Sequence, residues 1–295
     1  MSDAPLVTIG VPVYNSERYL RQSLDSLLAQ SYSKFSLIIS DNASSDSTPE
    51  ICREYAAKDA RVSWVRNAVN IGNPGNFNRV FELTKTKYLK WSTSDDLWAP
   101  TFLERAIEVM EREPDVALCY PKTYIVDAEG QNQQLFDDDL CLMEDDPVDR
   151  FVRLLQNIRL AHQHLGVIRA DALRKTHLLR RFVASDINLL AELALYGKFY
   201  ELPERLFFRR FHKTSGSWQR GDREHQAKHY LGATRTGASL TSWRGHLAHF
   251  KSVWSAPLPT RSKVRLYSFL SRRMVWGRRE LVSELMQFAQ LRIRQ

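Results

Sequence analysis

Cysteine, glycine and proline are scarce in this sequence. Its 295 residues include three cysteines, Cys52, Cys119 and Cys141, and none of them belongs to a C-x-x-C pair. A disulfide framework and a thiolate zinc site are therefore not indicated, and a reducing compartment is the simplest expectation. The 12 glycines and 11 prolines are too few for a low-complexity chain.

Long apolar runs are also missing. No uncharged apolar stretch reaches the length of about 20 residues that crosses a bilayer. Residues 1–5 lack the basic start and the apolar core of a signal peptide. We therefore expect a cytoplasmic protein whose contact with the inner membrane, if it has one, is peripheral.

Positive charge is concentrated in the C-terminal quarter. The whole chain carries a net charge of +8, whereas residues 221–295 contain 14 Lys or Arg and 4 Asp or Glu, a net charge of +10. This asymmetry indicates an anionic surface as a partner. Trp243, Trp254, Tyr267 and Trp276 lie among these cations, which is typical of a helix on an anionic membrane, or of a packed helix with a solvated basic face. No nucleic-acid-binding motif is present, so nucleic acid is not the expected partner.

Strand and helix signals alternate over the first 125 residues. Short apolar runs rich in β-branched residues occupy 6–13, 35–40, 62–65, 88–92 and 116–120, and stretches with helical periodicity separate several of them. This order predicts an α/β fold, a Rossmann-like and mostly parallel sheet with helices on both faces. We expect one domain over residues 1–220, with halves at 1–125 and 126–220, and a helical basic extension at 221–295.

Polar side chains follow three of the predicted strands. Pro12, Tyr14 and Asn15 come after the first, the segment 41–46 after the second, and the segment 94–96 after the fourth. Ligands of parallel sheets bind at the carboxyl ends of the strands. Carboxylates gathered there suit Mg²⁺ or Mn²⁺ together with substrate phosphates. The alternative is that the acids cap turns or are solvated.

Two further features bear on this edge. Lys90 interrupts an apolar strand, so it either has an acidic partner or a ligand phosphate, or else lies on an edge strand in water. Residues 70–78, which include Asn70, Gly72 and Asn78, predict a tight loop whose backbone N–H groups can approach a ligand. This loop is neither a G-x-G-x-x-G motif nor a P-loop, so neither classical type of nucleotide binding is supported.

The ordered series of motifs resembles the family 2 glycosyltransferases, which have the GT-A fold. The series consists of 7–15, 41–46, 70–72 and 94–96, and the resemblance covers about residues 5–215. Members transfer a sugar from a nucleotide-diphosphate donor with inversion at the anomeric carbon. The resemblance therefore implies a hexosyltransferase that uses a UDP-sugar and Mn²⁺ or Mg²⁺. It also implies a glycan or lipid-linked acceptor in bacterial cell-surface polysaccharide biosynthesis.

The resemblance assigns residues to the donor site. Asp41 would bind the base, Asp95 would face the ribose or the sugar, and Asp96 would hold the metal, although Ser94 stands at the first acidic place of the family motif. Because Phe77 replaces an arginine that is common in the family, Lys90 or Arg79 would supply the positive charge. The donor-binding residues expected in this way are Pro12, Tyr14, Asn15, Asp41, Asn70, Gly72, Asn78, Lys90, Asp95 and Lys213.

The second half of the chain is expected to supply the chemistry. The resemblance places the catalytic base at Asp186, because a single displacement needs a base for the proton of the acceptor hydroxyl. Asp186 could also begin a helix, and Glu192 is the second candidate for the base. His212, with Asp96, is expected at the metal. His162 and His164 are not expected to form a metal site, because no carboxylate ligand accompanies them.

Two other functions remain open. A nucleotidyltransferase on a related fold would need a glycine-rich basic loop after the first strand, where this chain has the sequence YNSE at 14–17. A catalytically inactive domain that docks on membranes through residues 221–295 is the non-enzymatic alternative.

Overall fold

The computed structural model describes residues 4–138, 140–212 and 240–293. The first half contains β1 (Val7–Val13), α1 (Leu20–Leu28), β2 (Phe35–Asp41), α2 (Thr48–Lys58), β3 (Val62–Arg66), α3 (Asn73–Leu83), β4 (Tyr88–Trp91), β5 (Leu97–Trp98) and α4 (Phe102–Arg112). The second half contains β6 (Val116–Val126), β7 (Gln134–Phe136), α5 (Pro147–Asn157), a 3₁₀ helix (His162–Leu165), β8 (Val167–Arg169), α6 (Ala170–Arg174), α7 (Ser185–Leu193) and β9 (Lys198–Arg210). Three helices end the described chain: α8 (Thr241–Ser255), α9 (Thr260–Trp276) and α10 (Arg278–Ile293).

The nine described strands form one sheet. Eight of them lie in the order β3-β2-β1-β4-β8-β6-β9-β5, and β7 pairs with β6. The pairs β1–β2, β2–β3, β1–β4 and β6–β9 are parallel, and the other pairs are antiparallel. Because β8 is antiparallel to both β4 and β6, the strands β1 to β4, β6 and β9 all run in one direction. The carboxyl ends of these six strands therefore meet at one edge, and the expected α/β fold is confirmed.

Apolar spacing explains how the helices cover the sheet. Leu20, Leu24 and Leu27 recur on one face of α1, and all three are buried. On β1, Gly10 allows α3 to pack closely, since a Cβ atom at this position would lie 1.9 Å from Cγ1 of Val80. A larger residue at position 10 would push α3 away from the strand.

Two elements differ from the expectation. Residues 70–78 were expected to be loop throughout, but α3 begins at Asn73, with Pro74 in its first turn, where the missing N–H of proline costs no helical hydrogen bond. The second is β9, a 13-residue strand that pairs with β6 and lies beyond the 125 residues over which strand and helix signals alternate. Charged residues interrupt the apolar pattern of β9, so the sequence gives only a weak strand signal there.

The C-terminal helices pack on the second half of the domain. Nδ2 of Asn188 in α7 donates to the carbonyl of Gly245 at 2.9 Å, and Nη2 of Arg265 in α9 pairs with Asp149 of α5 at 3.0 Å. Helical structure is thus found over 241–293, while residues 221–239 of the expected extension lie outside the described residues. Within the described chain, none of the helices combines the length and the apolar character needed to cross a membrane.

Candidate active site

Asp41 ends β2 at the shared edge and is fully buried. Its Oδ1 accepts from the Ser44 N–H at 3.0 Å, and its Oδ2 lies 3.3 Å from Nε of Arg66 at the end of β3. Nη2 of Arg66 donates to the Ser44 carbonyl at 2.8 Å, while the side chain keeps 44% of its surface exposed. A carboxylate that only accepts and a guanidinium that only donates therefore lie side by side at this edge.

A network of asparagines ties the ends of β1, β2 and β3 to α3. Oδ1 of Asn70 accepts from Nδ2 of Asn42 and from the Gly72 N–H, both at 2.8 Å. Gly72 has φ of 79°, a conformation that favours glycine. Nδ2 of Asn76 donates to the Ser40 carbonyl at 2.8 Å. Oδ1 of Asn70 and the Gly72 N–H therefore bond within the loop and fix its shape.

The loop after β1 makes hydrogen bonds to both acidic segments, 41–46 and 94–96. Oδ1 of Asn15 accepts from the Ser45 N–H at 2.9 Å, and the hydroxyls of Ser16 and Ser94 lie 2.8 Å apart. Asn15 has φ of 47°, and Pro12 is buried at the end of the strand. Tyr14 keeps 48% of its surface exposed, so its ring can receive a planar ligand.

Asp95 and His212 form a direct contact between the two halves of the domain. Oδ2 of Asp95 lies 2.9 Å from Nε2 of His212, which follows β9. The imidazole also packs on Tyr19, with 4.8 Å between the ring centroids. Nε of Arg210 donates to the Asp95 carbonyl at 2.8 Å. The expected convergence of the strand-four acids and His212 is thus present in the structure.

Asp96 has the opposite environment from the one expected of a metal ligand. It is buried, its Oδ1 accepts from the Arg210 N–H at 2.8 Å, and its Oδ2 accepts from the Thr93 hydroxyl. Burial, followed by the nearby charge of Asp95, raises the pKa of Asp96 to about 7. Asp96 therefore holds the end of β9 through the backbone of Arg210. Asp95 is the more exposed carboxylate and lies at the sheet edge where the strand ends meet. These contacts tie Asp96 to β9 and differ from its expected assignment to the metal, which stays a prediction.

Lys90 does not reach the donor site, which corrects a second expectation. Its strand is an interior one, between β1 and β8, and the residue is fully buried. Nζ donates to the Trp91 carbonyl at 3.2 Å and lies 3.5 Å from the ring centroid of Trp98. Burial lowers the pKa of Lys90 well below its usual value. The alternative candidate, Arg79, pairs with Glu82 on the outer face of α3.

Asn78 is a structural clamp. Its Nδ2 donates to the Leu179 carbonyl at 2.8 Å, and its Oδ1 accepts from the Leu179 N–H at 3.2 Å. This pair of bonds holds α3 against the segment that leads into α7. The expectation that Asn78 binds the donor is therefore not supported by its contacts.

Asp186 lies in the first turn of α7 and is partly exposed. Its Oδ1 accepts from the Ile187 N–H at 2.9 Å. Burial lowers the pKa of His164, and the charge of Asp186 opposes that effect. The second candidate for the base, Glu192, is 1% exposed, and its two oxygens accept from the His177 N–H at 3.0 Å and from Nδ1 of His177 at 2.6 Å. Glu192 is therefore a buried structural acid, and Asp186 is the accessible one.

Lys213, also expected at the donor site, lies outside the described residues. Sequence reasoning gave no role to Arg66 or Arg210, since arginine residues are common at strand ends and their partners are distant in sequence. Within the described part of the chain, no group of three or more His, Cys, Asp or Glu side chains could hold a metal ion. A metal at this edge would be held by Asp95 and His212, with phosphate oxygens of a ligand completing its coordination.

Residues 8–176 match the model of the family named glycosyl transferase family 2. The chain belongs to this family. An uncharacterized glycosyltransferase of Methanocaldococcus jannaschii is 32% identical over 130 residues, which are 43% of this chain and 45% of that protein. Bacillus subtilis TuaG, which carries the name of a teichuronic acid biosynthesis glycosyltransferase, is 33% identical over 36% of this chain and 42% of its own. The match thus spans less than half the length of these curated relatives.

Solved structures share the fold over most of the chain. Residues 1–349 of S. aureus TarS in complex with UDP-GlcNAc superpose with a TM-score of 0.69 at 16% identity, over 97% of this chain and 81% of that one. The mannosyltransferase PcManGT of Pyrobaculum calidifontis, in complex with GDP-Man and Mn²⁺, superposes with a TM-score of 0.56 at 18% identity, over 97% of this chain and 86% of that one. The fold is therefore of the GT-A type.

Proposed function

We propose that the protein is an inverting glycosyltransferase that takes a sugar from a UDP-sugar donor. The observation that carries the proposal is the Asp95–His212 pair, which lies at the same sheet edge as Asp41 and the loop of Tyr14. A nucleoside diphosphate needs a base contact at one end and charge compensation at the other. This edge supplies both.

Asp41 and Arg66 select the base. An acceptor oxygen beside a guanidinium suits a base that presents an N–H group next to a carbonyl, as uracil does at N3 and O4. Guanine presents the same pattern at N1 and O6, whereas adenine and cytosine present a ring nitrogen that accepts. Among the structural neighbours, TarS was solved with UDP-GlcNAc and PcManGT with GDP-Man, and both bases have this pattern.

Asp95 and His212 fit a Mn²⁺ or Mg²⁺ ion that also binds the donor. One carboxylate and one imidazole are fewer ligands than a protein-only site needs, but they suffice when the diphosphate contributes oxygens. When bound, the metal would neutralise charge that develops on the leaving diphosphate. Asp95 and His212 themselves fix the position of the diphosphate relative to the base, which Asp41 binds.

Asp186 is the base of the proposed reaction. As the acceptor hydroxyl oxygen forms a bond to the anomeric carbon, the bond from this carbon to the diphosphate oxygen breaks. The hydroxyl proton passes to the Asp186 carboxylate, and the nucleoside diphosphate leaves with the electron pair of the broken bond. The partial exposure of Asp186 at the start of α7 allows an acceptor to approach it.

A glycan or a lipid-linked glycan of the bacterial cell surface is the proposed acceptor. The name of TuaG, a relative in Bacillus subtilis, supports this class. In this setting the protein would act in polysaccharide biosynthesis on the cytoplasmic side of the inner membrane.

A thermal-shift screen tests the donor class. UDP-, GDP- and dTDP-sugars are each added with and without Mn²⁺, since a ligand that binds only the folded state raises the melting temperature by mass action. The proposal predicts a rise for UDP-sugars that requires Mn²⁺. If no nucleotide sugar raises the melting temperature and none is consumed in the presence of glycan acceptors, the protein is not a transferase of this kind.

A further inference from the structure

Large apolar side chains that face solvent are concentrated in the C-terminal helices. Among the described residues, eleven such side chains are at least 42% exposed, and eight of them lie between positions 247 and 286: Leu247, Trp254, Val264, Val275, Trp276, Val282, Leu285 and Met286. Single exposed apolar residues are ordinary on a protein surface, whereas a concentration of them marks an interaction site.

The helix α10 has one packed face and one exposed apolar face. On the packed side, both carboxylate oxygens of Glu284 accept from the Ser242 N–H at 3.1 Å, and the Leu281 carbonyl accepts from Nε1 of Trp243 at 3.0 Å. Val282, Leu285 and Met286 occupy neighbouring positions beside this packed face, and they are 48%, 42% and 61% exposed. We name these three residues the α10 stripe.

Aromatic and basic side chains adjoin the α10 stripe. Trp276, at the end of α9, is 71% exposed, and Arg272, Arg278 and Arg279 are exposed around it. Between residues 240 and 293, Glu280 and Glu284 are the only acids, and each binds a group of Ser242 at the start of α8. The surface around the α10 stripe is therefore cationic.

This combination determines the chemistry of the partner. A membrane surface favours apolar side chains, tryptophan at headgroup depth and cations beside both. The net charge of +10 over residues 221–295 has the sign that an anionic bilayer attracts. We propose that the α10 stripe, Trp276 and the adjacent Arg272, Arg278 and Arg279 dock the protein on an anionic phospholipid bilayer. The docking does not depend on the transfer chemistry, and it would bring the site to lipid-linked acceptors.

Co-sedimentation of the full chain with lipid vesicles tests the proposal. Vesicles that contain phosphatidylglycerol should bind the protein, vesicles of phosphatidylcholine alone should not, and added salt should weaken the binding. The double variant R278E/R279E should bind the anionic vesicles at least about tenfold more weakly, because each cation near such a surface contributes roughly 1 kcal/mol. The variant Trp276→Ser/Met286→Ser should also bind more weakly.

A matched control separates this surface from general stickiness. Leu135 on β7 is 69% exposed and lies in another part of the sequence, so Leu135→Ser should leave vesicle binding unchanged. Equal binding to both vesicle types, or no binding, would overturn the proposal. The proposal would also be overturned if vesicles captured nothing and light scattering showed an oligomer that Trp276→Ser/Met286→Ser dissociates, because this surface would then join two copies of the chain. Nucleotide and acceptor are absent from the assay, so failure of the proposed transferase function would not affect its outcome.

Discussion

Nε2 of His212 and Oδ2 of Asp95 lie 2.9 Å apart although 117 residues separate them in the sequence. The contact joins the loop after β4 to the segment that follows β9. It depends on Asp96, which holds the Arg210 N–H two residues before His212. Two consecutive acids therefore do different work: Asp96 fixes the strand, and Asp95 faces the site.

Removal of the proposed base should stop transfer without loss of donor binding. For Asp186→Asn we expect turnover to fall by at least about 100-fold, because general base catalysis typically contributes that much. The donor KM and the melting temperature should stay close to the wild-type values, since Asp186 lies partly exposed at the start of α7. Steady-state kinetics and a thermal melt check both expectations.

Glu192 is the matched control for Asp186, because it is an acid of the same helix. Glu192→Gln should lower the melting temperature, since the buried carboxylate accepts two hydrogen bonds from His177. The folded fraction should still turn over donor. If Glu192→Gln abolished turnover at an unchanged melting temperature and Asp186→Asn did not, the roles of the two acids would be exchanged.

Base selection should depend on Asp41 and Arg66. For Asp41→Asn we expect UDP to bind about 10- to 100-fold more weakly, which corresponds to the loss of one charge-assisted hydrogen bond. An amide has one oxygen, so it cannot accept both from the Ser44 N–H and from the base as the two carboxylate oxygens can. Arg66→Ala should reduce the ratio of UDP affinity to CDP affinity. Arg79→Ala, on the outer face of α3, should change neither the UDP affinity nor this ratio. Titration calorimetry with UDP, GDP, ADP and CDP measures these affinities. A wild-type protein that binds ADP as tightly as UDP would refute this account of the base site.

Acid should destabilise the packing of α8 through His249. This residue is buried edge-to-face on Phe151 of α5, and burial lowers its pKa to about 3. The unfolded chain therefore takes up the proton first, so this contribution to stability is present above pH 6.5 and is lost as the pH falls towards 3. Between pH 7 and pH 5 the wild type should lose roughly 2 kcal/mol more unfolding free energy than His249→Leu. Urea unfolding at the two pH values measures this difference, and equal losses would contradict the burial of a neutral imidazole.

The order of strands and helices could be predicted from sequence because it depends on local signals. Apolar runs marked β1, β2 and β4, and the carboxyl-end rule correctly placed Asp41 and Asp95 on one edge. The start of α3 at Asn73 was missed, since its first residues have the composition of a loop. Val80 of α3 packs on Gly10 of β1, and this contact stabilises a helix whose first residues intrinsic propensity does not favour.

The individual roles within the site could not be predicted from sequence. Asp95 and Asp96 are chemically identical, and their partners distinguish them: Asp96 accepts from the backbone of Arg210, and Asp95 contacts His212. The sequence is compatible with Lys90 in water or at a ligand, but in the structure its ammonium group packs on the aromatic ring of Trp98. Such contacts join positions that are distant in sequence, so no local pattern encodes them.

Calorimetry of UDP binding with and without Mn²⁺ tests most directly whether Asp95 holds the metal while Asp96 fixes β9. Wild-type protein should bind UDP more tightly with Mn²⁺, and Asp95→Asn should lose this gain. Asp96→Asn can keep its hydrogen bonds to Arg210 and Thr93, so it should keep the metal-dependent gain. If Asp95→Asn retained the gain and a folded Asp96→Asn lost it, the metal would belong to Asp96 and the account given for this edge would be wrong.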